Sequence, residues 1–109
     1  MSEVVVVVVA QAKPGRGEDA LAAFQGVAVP THAEEGCRLF AVHRAPADPE
    51  RIVIVERWAS RAALDEHLTT SHLLEFRKSG ADLWAAPMQI IVLEPVPGGD
   101  PVKGALAGA

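Results

Sequence analysis

The sequence has no tyrosine, one cysteine, two tryptophans and only ten Lys and Arg among its 109 residues. A single cysteine, Cys37, excludes an intramolecular disulfide and suits a reducing compartment. Without tyrosine there is no phenolic donor, so acid–base chemistry falls to four histidines, the carboxylates and the lysines. A net charge of −4 with no cluster of basic residues argues against nucleic acid or an anionic membrane as a partner. The apolar run Val4–Ala10 is too short to span a bilayer. Glu3 stands where a signal peptide would carry a basic residue, and the chain is read as cytoplasmic.

Half of the residues are apolar and 22% are charged, which is enough for one modest core. The expected organisation is one domain over residues 1–95 followed by a Pro/Gly/Ala tail, 96–109, with little to bury. Val4–Ala10 is β-branched without polar alternation, the pattern of a strand covered on both faces. After the turn at Lys13-Pro14-Gly15, apolar residues at Leu21, Phe24 and Ala28 follow helical spacing, with Glu18 and Asp19 in the first turn. Pro30 predicts a kink or restart, and Gly36 a helix end. Cys37–Arg44 and Arg51–Trp58 read as a hairpin joined by Ala45-Pro46-Ala47-Asp48-Pro49-Glu50. Ser60 is placed to cap a second helix carrying Leu64 and Leu68. Ser71 is placed to cap its continuation, in which Leu73, Phe76 and Leu83 or Trp84 face inward and Gly80 is a weak point. Met88–Leu93 is a fourth strand.

This order, βαββαβ, predicts an α+β ferredoxin-like sandwich with a four-stranded antiparallel sheet. Two helices cover one face of such a sheet. Ile52 and Ile54 point to one side of the third strand, Val53 and Val55 to the other, so the outer face is apolar as well. An uncovered patch of several hundred Å² is roughly the limit a soluble monomer tolerates. A homodimer with two sheets packed face to face is therefore expected.

Five segments in this order carry a resemblance: Lys13-Pro14-Gly15, Glu34-Glu35-Gly36-Cys37, Glu56-Arg57-Trp58, Leu64-Asp65-Glu66-His67 and Ser71-His72. Over about residues 4–94 the chain resembles the antibiotic biosynthesis monooxygenase domain, the small quinol-monooxygenase-like group. The resemblance implies a dimeric α/β barrel. It also implies oxidation of a small phenolic, quinol or polyketide-like aromatic by dioxygen, with no flavin, haem or metal. A substrate that becomes a good reductant on deprotonation replaces the cofactor. The protein then binds it in an apolar cavity, removes a proton and excludes water.

His67 and His72 are the candidate acid–base residues, since imidazole titrates near neutrality. Five residues apart, they do not share one helical face and lack the HxxxH spacing of a metal pair, so no metal is expected. Trp58, at a strand end, is a candidate wall for stacking on an aromatic ligand. The resemblance implies a strand Asn four residues before this Trp, where the chain has Ile54. It also implies a cation about twenty residues after it, where Lys78 stands with Arg77 beside it. Phe40 occupies a position where many relatives have Tyr. Arg77 and Val8 stand where haem-degrading relatives carry the axial His and a strand Asn, which disfavours haem. Cys37 reads as an inert small hydrophobe. Glu56 and Arg57 are expected to form an ion pair across the sheet or a dimer seam. His32 and His43 have no assigned role, and Gly98-Gly99 lacks the surrounding pattern of a phosphate loop. The alternative to an oxygenase is a non-catalytic dimeric module that binds a small ligand or supports a pathway partner.

Overall fold

A computed structural model describes residues 3–106. Met1, Ser2 and residues 107–109, the extremes of the expected domain and tail, lie outside the described residues. The elements are β1 (Val4–Gln11), α1 (Gly17–His32), β2 (Cys37–Ala45), β3 (Asp48–Trp58), α2 (Arg61–His67), α3 (Ser71–Ser79) and β4 (Gln89–Leu93). The four strands form one antiparallel sheet in the order β2-β3-β1-β4, the ferredoxin-like arrangement.

The register explains which side chains reach the helices. Val6, Val8 and Ala10 of β1 and Ile52, Ile54, Glu56 and Trp58 of β3 alternate inward and are buried. Phe40 of β2 lies opposite Glu56 and closes the same face. Ala20, Phe24, Val27 and Ala28 of α1 pack against this face. Phe24, Phe76 and Trp84 add an aromatic cluster, with Phe24 5.0 Å from Phe76 and 5.5 Å from Trp84 between ring centroids. The outer face carries Val5, Val7 and Val9 beside Val53 and Val55, with Leu39 and Ala41 on β2 and Ile91 and Leu93 on β4. Ile91 and Leu93 are 43% and 45% exposed. The uniform β-branched run of β1 thus faces the helices on one side only.

Several local expectations shift by a few residues. α1 passes through Pro30 without a restart and stops at His32, four residues short of Gly36. Proline removes one hydrogen bond, and the Thr31 hydroxyl donates to the Val27 carbonyl at 2.7 Å in the same turn. The hairpin turn is shorter than expected, because β2 and β3 run on until Ala45 pairs with Asp48. Ser60 caps α2, accepting from the Ala63 N–H. The cap of α3 is Thr70 and not Ser71; Thr70 accepts from the Leu73 N–H. Gly80 ends α3, so Leu83 and Trp84 lie beyond it and are not helical. They still pack inward, because Lys13 N donates to Leu83 O and Ala85 N to Gln11 O, which ties this segment to the end of β1.

Candidate functional site

At the C-terminal end of β3 the inner face of the sheet meets three other segments. The first is the turn after α1. Glu34 N donates to Thr31 O, Cys37 N donates to Glu34 O, and Ala59 N donates to Gly36 O, so the turn is tied to both neighbouring strands. Gly36 lies directly against α2: a Cβ there would sit 2.4 Å from the Cβ of Ala63. This close approach brings the Glu34 side chain to the end of α2. The other two segments are the end of α2, carrying His67, and the start of α3, carrying His72. Between them the Thr70 hydroxyl donates to His67 O at 2.8 Å and accepts from Leu73 N, which fixes how the two helices are offset.

Glu34 is the centre of the arrangement. Its Oε2 lies 2.7 Å from His67 Nδ1 and 2.7 Å from His72 Nε2. A carboxylate oxygen only accepts, so both imidazoles donate to it. In the neutral ring this puts the proton of His67 on Nδ1 and that of His72 on Nε2, with the lone pair on the opposite nitrogen of each. The His67 side chain is almost fully buried, whereas that of His72 is 22% exposed. His67 lies over Trp58, with ring centroids 4.4 Å apart, and Phe40 flanks it at 6.2 Å. His72 lines a groove of about 260 Å³ between α1 and α3, with Val27, Pro30 and Phe76 among its walls.

A second carboxylate lies beneath this cluster. Trp58 Nε1 donates to Glu56 Oε1 at 2.8 Å. Burial pushes the Glu56 carboxyl up to about 7 and the nearby charge of Glu34 adds to the rise, while the Trp58 hydrogen bond opposes it. The Cys37 thiol is also pushed up, by burial and by the charges of Glu34 and Glu56, which suits an unreactive cysteine.

The structure therefore brings together Trp58, His67, His72 and Phe40. Ile54 is fully buried in the core on the same face of β3. Arg77 and Lys78 are exposed on α3, and among the described residues neither makes a hydrogen bond or ion pair with the cluster. Lys78 lies six residues after His72, about 120° away around the helix. Glu56 and Arg57 do not pair with each other. Adjacent strand residues point to opposite faces, and Arg57 instead binds Glu3 on the outer side through three hydrogen bonds of 2.8–3.1 Å. His32 donates to Phe40 O at 2.9 Å, a structural bond, and His43 is exposed.

Sequence reasoning missed Glu34 and Glu56 as site residues. It also set metal binding aside on spacing alone. The two histidines sit on separate helices and the third donor comes from a distant turn, so the spacing rule for a single helix does not apply. The three donor atoms lie within 4.8 Å of one another and could hold a metal ion.

Fold and site together define a small ferredoxin-like α+β domain with a carboxylate–histidine cluster between sheet and helices. The antibiotic biosynthesis monooxygenase family model matches residues 3–79, and the chain belongs to this family. Rv0793 of Mycobacterium tuberculosis, named "Putative monooxygenase", is 40% identical over 67 residues, which are 62% of this chain and 65% of that protein. The match thus spans slightly under two thirds of that relative. The solved structure of Rv0793 superposes with a TM-score of 0.82 at 30% identity, covering 91% of this chain and 100% of that one. PA3566 from Pseudomonas aeruginosa gives a TM-score of 0.83 at 25% identity, covering 89% of this chain and 97% of that one. No helix among the described residues is long and apolar enough to cross a membrane.

Proposed function

We propose that the protein is a monooxygenase that oxidises a small phenolic, quinol or polyketide-like aromatic with dioxygen, and that Glu34 and His72 remove the substrate proton. The observation that carries this reading is the 2.7 Å bond from His72 Nε2 to Glu34. It holds His72 in the tautomer with a lone pair on Nδ1 and stabilises the imidazolium formed when that nitrogen takes a proton. His72 lines the α1–α3 groove, whose apolar walls suit an aromatic ring. The deprotonated substrate is electron-rich enough to reduce dioxygen itself. For an anthrone, the ring CH2 becomes C=O, one oxygen atom enters the product and the other leaves as water. Family membership and the names of relatives such as YcnE of Bacillus subtilis, 28% identical over 82 residues, support oxygenase chemistry.

Two copies of the chain form the working unit in this reading, with the outer valines, Ile91 and Leu93 of each sheet covering those of the other. The cytoplasm suits its single, half-buried thiol. A second reading, a dimeric module that binds a small ligand without turnover, is favoured by buried Ile54, which offers no polar group in mid-strand. Oxygen uptake with a panel of hydroquinones and anthrones separates the two. The oxygenase reading expects catalysed uptake that falls roughly 100-fold or more in Glu34→Gln and His72→Gln. Binding without uptake, or uptake unchanged in both variants, refutes it.

A further inference from the structure

We propose that Glu34, His67 and His72 form a binding site for a borderline first-row divalent cation such as Zn2+, and that the ion and the catalytic proton compete for the same histidine. The donor set of two imidazoles and one carboxylate is the kind that zinc and its neighbours prefer over magnesium or calcium, which favour all-oxygen sites. The three donor atoms come from three segments and converge on one point, all within 4.8 Å of one another. Four-coordinate zinc holds donors at about 2.0–2.2 Å and hence roughly 3.3 Å apart. Filling the site therefore opens each Glu34 contact from 2.7 Å by a few tenths of an ångström. Glu34 is on a turn and His72 is partly exposed near the start of its helix, so both have room to give. Trp58 stacks on His67 and holds the buried ligand in place. Three protein donors leave the fourth position for water or another small ligand.

The exchange has a chemical consequence. Without metal, His72 donates from Nε2 to Glu34 and has its lone pair on Nδ1. A metal bound to Nε2 takes the lone pair there, so the single proton of the neutral ring moves to Nδ1. The base is lost when the ion binds. This inhibition rests on the function proposed above, whereas binding of the ion does not.

The test uses the full chain. Isothermal titration with Zn2+ at neutral pH is expected to show one ion per chain. Co2+ is expected to give the intense visible bands of a four-coordinate ion, and Mg2+ to bind far more weakly. His72→Gln and Glu34→Gln should each weaken Zn2+ at least 10-fold, while Glu35→Gln, beside the site and exposed, should leave it unchanged. Circular dichroism confirms that each variant is folded. If one of the two ligand variants fails to fold, the other decides the question. No Zn2+ binding, undiminished binding in the ligand variants, or Mg2+ bound as tightly would overturn the site. Zn2+ binding without any oxygen uptake would support the site while refuting the oxygenase reading. Uptake that depends on His72 without Zn2+ binding would do the reverse.

Discussion

Replacing Glu56 by Gln is expected to stabilise the protein at pH 8 and to leave it nearly unchanged at pH 4. Glu56 is 5% exposed, and its carboxyl is raised from 4.5 to about 7, chiefly by burial. Between these values the folded chain holds a proton that the unfolded chain releases. The stability this group contributes is therefore fully present below pH 4.5 and is lost as pH rises through about 7. At about 1.4 kcal/mol for each tenfold difference in proton affinity, the loss has an upper bound of about 3.5 kcal/mol. Glutamine has no charge to desolvate and keeps an oxygen to accept from Trp58 Nε1. Urea unfolding of both proteins at intervals from pH 4 to pH 9 measures the effect. The variant should gain about 2–3 kcal/mol on the wild type across that range, with the change centred between 4.5 and 7. An offset that does not vary with pH would refute the reasoning, because it would mean that Glu56 titrates alike in the folded and unfolded chain.

Gly36→Ala places a methyl 2.4 Å from the Cβ of Ala63, which neither the turn nor α2 can absorb without moving. A loss of about 1–3 kcal/mol in denaturant unfolding is expected, with weaker Zn2+ binding because Glu34 moves with the turn. Glu3→Gln weakens the three hydrogen bonds to Arg57, both partners being largely buried, and should cost about 2 kcal/mol. Unfolding midpoints at low and high salt check this, since a buried pair is screened less than an exposed one. Val55→Glu sets a charge in the middle of the outer sheet face. Sedimentation should then show single chains where the wild type shows two associated; a wild type that sediments as one chain refutes the paired-sheet arrangement.

The fold was legible because its signals are local. Val4–Ala10, Arg51–Trp58 and Met88–Leu93 each declare a strand by composition, and Leu21, Phe24 and Ala28 declare a helix by spacing. Errors of one or two residues arose where two similar residues compete. Thr70 and Ser71 both carry a capping hydroxyl, and only the packing of α3 decides between them. Gly36 resembled a helix terminator, but its absent side chain serves the contact with Ala63, which no local pattern reveals. The site was less legible because its central residue has no local partner. Glu34 meets histidines 33 and 38 residues away, and nothing in the pair Glu34-Glu35 says which one turns inward. Glu56 and Arg57 are a different case. Strand alternation alone forbids two adjacent residues from sharing a face, and that rule already separates Arg57 on the outer side from Glu56 on the inner.

That alternation also bears on where a substrate would sit. Ile54, Glu56 and Trp58 occupy successive inward positions of β3, so the strand's inward polar group lies one step, roughly 6.6 Å, beyond the position that Ile54 fills with hydrocarbon. The same step carries it toward the turn and helix ends where Glu34, His67 and His72 converge. The titratable side chains Glu34, Glu56, His67 and His72 are thus concentrated at one end of the sheet, while its middle is packed with Ile52, Ile54 and Val8. A substrate oxygen served by these groups has to approach from the helix side, along the groove that His72 lines, because Trp58 and His67 fill the space beneath. Enlarging that groove at Phe76 should therefore change which aromatics are accepted, whereas trimming Ile54 should mainly cost stability. A Phe76→Ala variant with an unaltered substrate range would place the entrance elsewhere.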